Sequence, residues 1–222
     1  MNKVKNILAG LTLILCTVSC MKEKREITYT NQENKIDQYI SNKMYVKNGE
    51  KTDTLRVVYN GGASRLVLEE GIGEELKRGG TISFYYAGYT FTTNKTTSNL
   101  FTTNHEETAT SAKWQLTDAD YKLLTLELID AELIQGLADG LLGVKSGEHC
   151  EILFSGKYAY GKKPYGTVAA NSAVLFEIWV EGANTMYLNT ARASLMRASL
   201  RYCLQLVLVT TISDILILFV LG

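Results

Sequence analysis

The sequence has few of the residues on which metal-binding, disulfide-rich and nucleic-acid-binding proteins depend. Its 222 residues include two histidines and four scattered cysteines, too few for a disulfide scaffold or a zinc module. The 23 lysines and arginines are balanced by 23 acidic residues, which argues against a nucleic-acid-binding protein with a basic face. Hydrophobic residues make up 46% of the chain, an ordinary share for a globular protein, so wholesale disorder is excluded.

The N-terminus carries the pattern of an export signal. Lys3 and Lys5 precede an apolar run over 7–18, which is too short for an ordinary membrane-spanning helix. Ser19 is a small residue of the kind that precedes a cleavage point, and Cys20 follows it. The arrangement resembles a bacterial lipoprotein signal, in which the cysteine becomes the lipidated first residue of the mature chain. We therefore expect lipidation of Cys20, with an ordinary secretory signal or an uncleaved anchor as alternatives.

The C-terminal residues differ in composition from the rest of the chain. Residues 183–222 contain no lysine and only one acid, Asp214, whereas residues 1–182 contain sixteen lysines and four arginines. Residues 204–221 are almost entirely apolar, as in a transmembrane helix. We favour a segment outside the functional domain, read from a shifted frame; a membrane anchor and a helix packed on the domain are the alternatives. Residues 20–182 alone carry a net charge of about −4, with eighteen basic and 22 acidic residues.

The middle of the chain alternates short strands with glycine-containing turns. Apolar residues at helical spacing, among them Ile36, Tyr39 and Ile40, predict an amphipathic helix over 34–44. Stretches rich in β-branched and aromatic residues predict strands at 55–59, 65–69, 81–89, 150–155 and 173–181.

Two further helices and a long polar loop are predicted between these strands. Residues 91–113 are dominated by Thr, Asn and Ser and predict a loop or flap whose one apolar island is Leu100-Phe101. A helix is predicted to begin at Thr117, because Thr is a good capping residue and acids follow it. A second short helix is predicted after Asp130, with its apolar face formed by Leu133, Ile134, Leu137 and Leu141.

Several short motifs follow one another in a characteristic order and spacing. They are Tyr86-Ala87-Gly88, Leu100-Phe101-Thr102-Thr103, Leu133-Ile134-Gln135-Gly136-Leu137, Gly147-Glu148, Ala159-Tyr160-Gly161 and the apolar strand 174–180. Together they resemble the FKBP-type peptidyl-prolyl cis-trans isomerases over residues 65–182, most clearly from residue 133 onward. Within that family the chain looks most like bacterial lipoprotein members.

The resemblance implies an α+β fold, in which an antiparallel β-sheet curls around a short α-helix, preceded here by an N-terminal helical leader. The chain is then expected to divide into a lipoprotein signal peptide (1–19), a tether (20–32), a helical leader with the first strand (33–64), an FKBP-like domain (65–182) and an atypical hydrophobic tail (183–222).

The resemblance also implies an enzyme that isomerises Xaa-Pro bonds and assists the folding of exported proteins. Isomerisation breaks no covalent bond, so neither a cofactor nor a metal is expected; an apolar pocket that removes water from the amide suffices. The implied catalytic residues are Tyr160, Phe101 and Tyr86, and the implied substrate-binding residues are Trp114, Leu133, Ile134, Leu137 and Phe176. Tyr160 is expected to donate a hydrogen bond to the substrate carbonyl.

The expected partners follow from this function. They are proline-containing unfolded or extended polypeptides, and a membrane reached through the lipid on Cys20, with no nucleic acid. We expect a monomer in the cell envelope, on the periplasmic side or at the cell surface.

Two departures from the family pattern keep other functions open. Leu137 stands where the family has a tryptophan on the pocket floor, and Thr102 stands where it has an aspartate. These changes favour, as the alternative, a non-catalytic chaperone-like lipoprotein that binds peptides in a degenerate pocket. A structural domain that keeps the fold only as a scaffold is the third possibility. A hydrolase built on His149 and Cys150 is disfavoured, because adjacent strand residues point to opposite faces of a sheet.

Overall fold

The computed structural model describes residues 2–44, 55–129 and 133–184, with side chains from residue 21 onward. The predictions about Asp130, the lipidated side chain of Cys20 and nearly all of the C-terminal tail therefore lie outside the described residues. Among the described residues, no helix combines the length and the hydropathy that crossing a bilayer requires.

Seven strands form one antiparallel sheet, with helices on both of its faces. The elements are α1 (Asn2–Met44), β1 (Arg56–Asn60), β2 (Ala63–Glu69), β3 (Thr81–Phe91), β4 (Leu100–Thr103), α2 (Glu106–Ser111), β5 (Leu124–Glu127), α3 (Gln135–Leu141), β6 (His149–Phe154) and β7 (Ala173–Asn184). The strand order is β1-β2-β6-β7-β3-β4, and β5 pairs with the other half of the long strand β3. The α+β class predicted from the sequence is confirmed.

Successive side chains of the strands point to opposite faces of the sheet and form two separate apolar clusters. On one face Ile152, Phe154 and Phe176 pack with the short helix α3. On the other face Leu153 and Leu175 pack with the side chains of α1. Strand β6 is thus covered on both sides, which explains why its residues from Cys150 to Phe154 are all buried.

The predicted helix over 34–44 is present as the last part of α1. Ile36, Tyr39 and Ile40 are all buried, as the helical spacing indicated. The expected tether over 20–32 is different in the structure, because the helix continues through it and Tyr29 is buried against the domain.

The prediction that a helix begins at Thr117 is wrong. Residues 117–120 form a turn, in which the backbone N–H and the hydroxyl of Thr117 both donate to Asp120 Oδ2, at 2.9 and 2.7 Å. The following residues form β5, whose Leu124 and Glu127 pair with Phe84 and Thr81 of β3. A capping residue followed by acids suits an isolated turn as well as a helix, and the edge of β3 supplies the partner that makes the next residues a strand.

A network of buried charges holds α1 and the loop between β3 and β4 against the face of the sheet that packs with α1. Glu151 and Glu177 are direct cross-strand neighbours, and both are buried. Lys95 Nζ from the loop lies 2.8 Å from Glu151 Oε1 and 2.9 Å from Glu177 Oε2. From α1, Lys43 Nζ lies 2.8 Å from Glu151 Oε1, and the Tyr39 hydroxyl donates to Glu151 Oε2 at 3.0 Å. Two lysines and a tyrosine thus share one buried carboxylate.

Candidate functional site

An open apolar pocket of about 320 Å³ lies on the α3 side of the sheet. It is lined by Phe84, Tyr86, Thr102, Leu124, Leu133, Ile134, Leu137, Tyr160, Tyr165 and Phe176. None of these described residues carries a charge at neutral pH, and only a threonine and three tyrosines offer polar atoms.

The floor of the pocket is the first turn of α3, which lies unusually close to the sheet. A β-carbon at Gly136 would lie 2.3 Å from the Phe154 ring, so only glycine allows this approach. The Gly136 N–H donates to the carbonyl of Tyr158 at 2.9 Å, so a loop carbonyl partners this N-terminal amide. This packing brings Leu137, which is 7% exposed, into the lining.

Arg65 of β2 holds the other end of α3. Its Nη1 donates to the carbonyls of Gly140 and Leu142 at 2.9 and 2.8 Å, where the helix leaves its last carbonyls unpaired. Glu148, 3.2 Å from Arg65 Nε, balances the buried cation. Burial raises the pKa of Glu148, and the nearby guanidinium charge only partly offsets that rise.

Aromatic rings from four strands pack together at the wall of the pocket. Phe176 of β7 stacks on the buried Phe154 of β6, with ring centroids 6.1 Å apart and planes at 10°. Phe101 of β4 meets Phe176 edge to face at 5.8 Å and Tyr160 edge to face at 6.3 Å. Phe101 therefore contacts both rings without lining the cavity itself, whereas Tyr86 of β3 lines the cavity.

Tyr160 lies on the loop between β6 and β7, at the edge of the pocket. Its ring stacks on Tyr165 with centroids 4.5 Å apart and planes at 4°. Burial, with smaller contributions from Tyr165 and Tyr86, raises the pKa of Tyr160 to about 12. The hydroxyl therefore keeps its proton at neutral pH and can donate a hydrogen bond to a ligand carbonyl.

The family comparison agrees with this geometry. Residues 73–181 match the family model described as FKBP-type peptidyl-prolyl cis-trans isomerase. Residues 73–181 are therefore an FKBP-type domain.

Three proteins that this chain resembles are distant from it in sequence. FK506-binding protein 1 of Aspergillus oryzae is 21% identical over 117 residues, which cover 53% of this chain and 94% of that protein. Among solved structures, FkpA from Escherichia coli is 20% identical with a TM-score of 0.47, covering 81% of this chain and 72% of that one. The N-terminal domain of FKBP42 from Arabidopsis thaliana is 21% identical with a TM-score of 0.44, covering 63% and 99%.

The FKBP pocket brings together six of the eight residues named from the sequence, namely Tyr86, Leu133, Ile134, Leu137, Tyr160 and Phe176. A seventh, Phe101, touches the pocket rings from behind. The prediction that Trp114 lines the pocket is wrong. Lys113 adopts a left-handed conformation with φ of 58°, the Trp114 N–H donates to the Ala109 carbonyl, and the indole packs on the opposite cluster.

Four lining residues of the FKBP domain escaped the sequence reasoning. Phe84 lies two positions before Tyr86 on the same strand, so the period of two could have found it. Leu124 was hidden by the mistaken helix, since it lies on β5. Thr102 was singled out only as a departure from the family pattern, and Tyr165 gave no signal. Their places in the wall depend on how β4 and the β6–β7 loop fold back.

Proposed function

We propose that this chain catalyses the cis-trans isomerisation of Xaa-Pro bonds. The observation that carries the proposal is the convergence of Tyr86, Leu137, Tyr160 and Phe176 on one open, uncharged pocket with a protonated tyrosine at its edge. A cavity of about 320 Å³ has room for a proline ring and part of its preceding residue.

Rotation about a peptide bond faces a barrier of roughly 18–20 kcal/mol, because the amide resonance must be broken. The apolar walls would take the substrate carbonyl out of water and weaken the charge-separated resonance form. Leu137 and Phe176 would hold the proline ring while the preceding residue turns. The Tyr160 hydroxyl would donate a hydrogen bond to the carbonyl, and that bond favours the twisted state only if it is stronger there. This route needs no nucleophile and no acid/base pair.

The test adds the full chain, in mild detergent, to an Xaa-Pro peptide and measures the cis-trans exchange rate by NMR. Proline-limited refolding of a client protein is a second assay of the same activity. We expect faster isomerisation at micromolar protein. No acceleration would reject the enzymatic function.

Tyr160→Phe is expected to lower kcat/KM about fivefold and at most tenfold. The substitution removes one hydrogen bond, which is worth about 1 kcal/mol, and tenfold corresponds to about 1.4 kcal/mol. Tyr158→Phe is the matched control, because Tyr158 lies on the same loop outside the pocket lining. Complete loss of activity in Tyr160→Phe, or an equal loss in Tyr158→Phe, would contradict the role given to the Tyr160 hydroxyl.

A peptide-binding function without catalysis is the second candidate. It is favoured by the apolar rim of the pocket, where Tyr165 is 56% exposed and Leu124 36%. Such a rim suits extended apolar chains. Suppressed aggregation of an unfolded client by a chain that does not accelerate isomerisation would select this function.

We further propose that Cys20 is lipidated and that the domain works in the cell envelope, at the periplasmic side or the cell surface, on exported polypeptides. Support comes from Lys3, Lys5 and the Ser19-Cys20 pair that ends the apolar run. In a bacterial host fed radiolabelled palmitate, the wild-type chain should take up label and fractionate with membranes, whereas Cys20→Ser should take up none. Equal labelling of Cys20→Ser would refute this site, and Cys16→Ser serves as the control.

A further inference from the structure

The loop that carries Tyr160 and Tyr165 is closed at its base by contacts from α1. The loop begins at Gly156 and ends at Asn171, and these ends are tied to the same point. The Gly161 N–H donates to the Gly156 carbonyl at 3.0 Å, and the Asn171 N–H donates to the Gly161 carbonyl at 2.6 Å. The tyrosines thus project from a base formed by three residues.

The side-chain amide of Gln32 joins the two ends of this base. Its Oε1 accepts from the Gly156 N–H at 2.9 Å, and its Nε2 donates to the Asn171 carbonyl at 2.7 Å. One turn earlier, the Tyr29 hydroxyl donates to Asn171 Oδ1 at 2.6 Å. We name Tyr29, Gln32, Gly156 and Asn171 the clasp.

The clasp holds a conformation that the loop does not favour by itself. Asn171 has a φ of 59°, in the left-handed region that most residues avoid. Its carbonyl, its side chain and its N–H each have a partner in the clasp or the loop. Because the Asn171 N–H bonds next to Tyr160, a change at this residue is transmitted directly to the pocket edge.

We propose that Gln32 is a positioning residue, which fixes Tyr160 for isomerisation by clasping the ends of its loop. This inference rests on the proposed function and deepens it. The residues that match the family model are 73–181, so Gly156 and Asn171 lie inside that match, whereas Tyr29 and Gln32 are supplied by α1 from outside it.

Helix α1 does not depend on Gln32 for its place on the domain. Helix α1 is docked independently by buried Ile36 and Ile40 and by the Lys43–Glu151 ion pair at 2.8 Å. Loss of the Gln32 amide should therefore loosen the loop without releasing the helix.

The experiment compares Gln32→Leu with Thr28→Val in the full chain. Thr28 lies on the same helix and its hydroxyl donates to the Lys24 carbonyl in an exposed position. Gln32→Leu should lower kcat/KM about fivefold, the effect expected when Tyr160 no longer makes its hydrogen bond to the substrate, and Thr28→Val should change it less than twofold. The unfolding midpoints should shift by similar small amounts. An unchanged kcat/KM in Gln32→Leu, or a loss explained entirely by unfolding, would overturn the proposal.

A double-mutant cycle distinguishes positioning of Tyr160 from a purely structural role, because only positioning makes the effects of the two substitutions on kcat/KM non-additive. If Gln32 acts through Tyr160, Gln32→Leu should have little further effect on kcat/KM in a Tyr160→Phe background. Fully additive losses would overturn the proposal. Hydrogen exchange of the amides over 156–171 provides a measure independent of activity and should be at least tenfold faster in Gln32→Leu. If the wild-type chain shows no isomerase activity, the proposed function fails, and this exchange alone decides whether the clasp orders the loop: unchanged exchange overturns it, and faster exchange supports it.

Discussion

Replacing Leu137 with alanine is expected to lower kcat/KM for an Xaa-Pro peptide about thirtyfold. Leu137 lines the floor of the pocket from the first turn of α3. The substitution removes three carbon atoms from the surface that would contact the proline ring, at about 0.8 kcal/mol each. Full burial of the three atoms would be worth about 2.4 kcal/mol. Because the pocket is open, we expect a loss of about 2 kcal/mol in transition-state binding, which corresponds to about thirtyfold. Isomerisation kinetics measured over a range of peptide concentrations check this result.

Leu141→Ala is the matched control for Leu137→Ala. Leu141 lies on the same helix and is fully buried, but it does not line the pocket. Both substitutions should lower the free energy of unfolding by about 2–5 kcal/mol, as large-to-small changes in a core do. At a temperature where both variants are folded, only Leu137→Ala should show a lowered kcat/KM for the Xaa-Pro peptide. Equal losses of activity would mean that Leu137 acts through folding alone, and the floor assigned to the pocket would be wrong.

Replacing Lys95 with methionine is expected to lower the free energy of unfolding by about 3 kcal/mol at neutral pH. Its ammonium group lies between the buried carboxylates of Glu151 and Glu177, which are direct neighbours across the β6–β7 pair. Glu151 keeps Lys43, but Glu177 loses its lysine, and removing one partner of a buried ion pair typically costs about 3–5 kcal/mol. Like charges directly opposite each other in a sheet add to that cost. Urea unfolding of the wild-type and variant chains measures the difference.

The effect of Lys95→Met should depend on pH. Burial pushes the pKa of Glu177 upward, but the hydrogen bond from His149 and the charge of Lys95 outweigh it, so the pKa lies below its ordinary value. A carboxyl group with a lowered pKa stabilises the fold above its unfolded pKa, near 4.5. That contribution disappears as the pH falls through the folded pKa. The difference between the two chains should therefore be full above about pH 5 and shrink in acid.

An exposed ion pair provides the control for Lys95→Met. Lys145 Nζ lies 3.8 Å from the carboxylate of Glu75, whose side chain is 61% exposed. Because surface pairs are worth about 0–1 kcal/mol, Lys145→Met should change the unfolding free energy little at any pH. A loss of stability in Lys95→Met that stayed constant into acid would show that packing of the lysine stem, rather than its charge, holds the loop.

Local sequence patterns were sufficient where neighbouring residues decide the structure. Stretches rich in β-branched and aromatic residues located β6 and β7, and the helical spacing of Ile36, Tyr39 and Ile40 located the buried face of α1. The order of short motifs was enough to predict the fold class and most of the pocket lining. The strands and the helix follow from local composition and periodicity, which a sequence displays directly, whereas the fold class and the pocket lining were implied by the resemblance to the FKBP family.

Local patterns failed where two structures suit the same residues. The acids after Thr117 fit a turn and a helix equally, and only pairing with Thr81–Phe84 of β3 makes Leu124–Glu127 a strand. Trp114 stands next to a predicted pocket loop, yet the left-handed turn at Lys113 sends its indole to the opposite face. In the first case a long-range contact overrides the local signal, and in the second a single left-handed residue does.

By itself, the sequence determined the kind of fold, the family and most of the apolar residues that form the pocket. The tertiary structure alone decided which polar residues meet. Gln32 reads as one polar residue in a tether, yet it contacts Asn171 across 139 positions. Lys95 reads as part of a polar loop, yet it separates two buried carboxylates. A hydrogen bond or ion pair leaves no periodic trace in a sequence, because it depends on where two distant backbones bring their side chains, and that is settled only when the chain has folded.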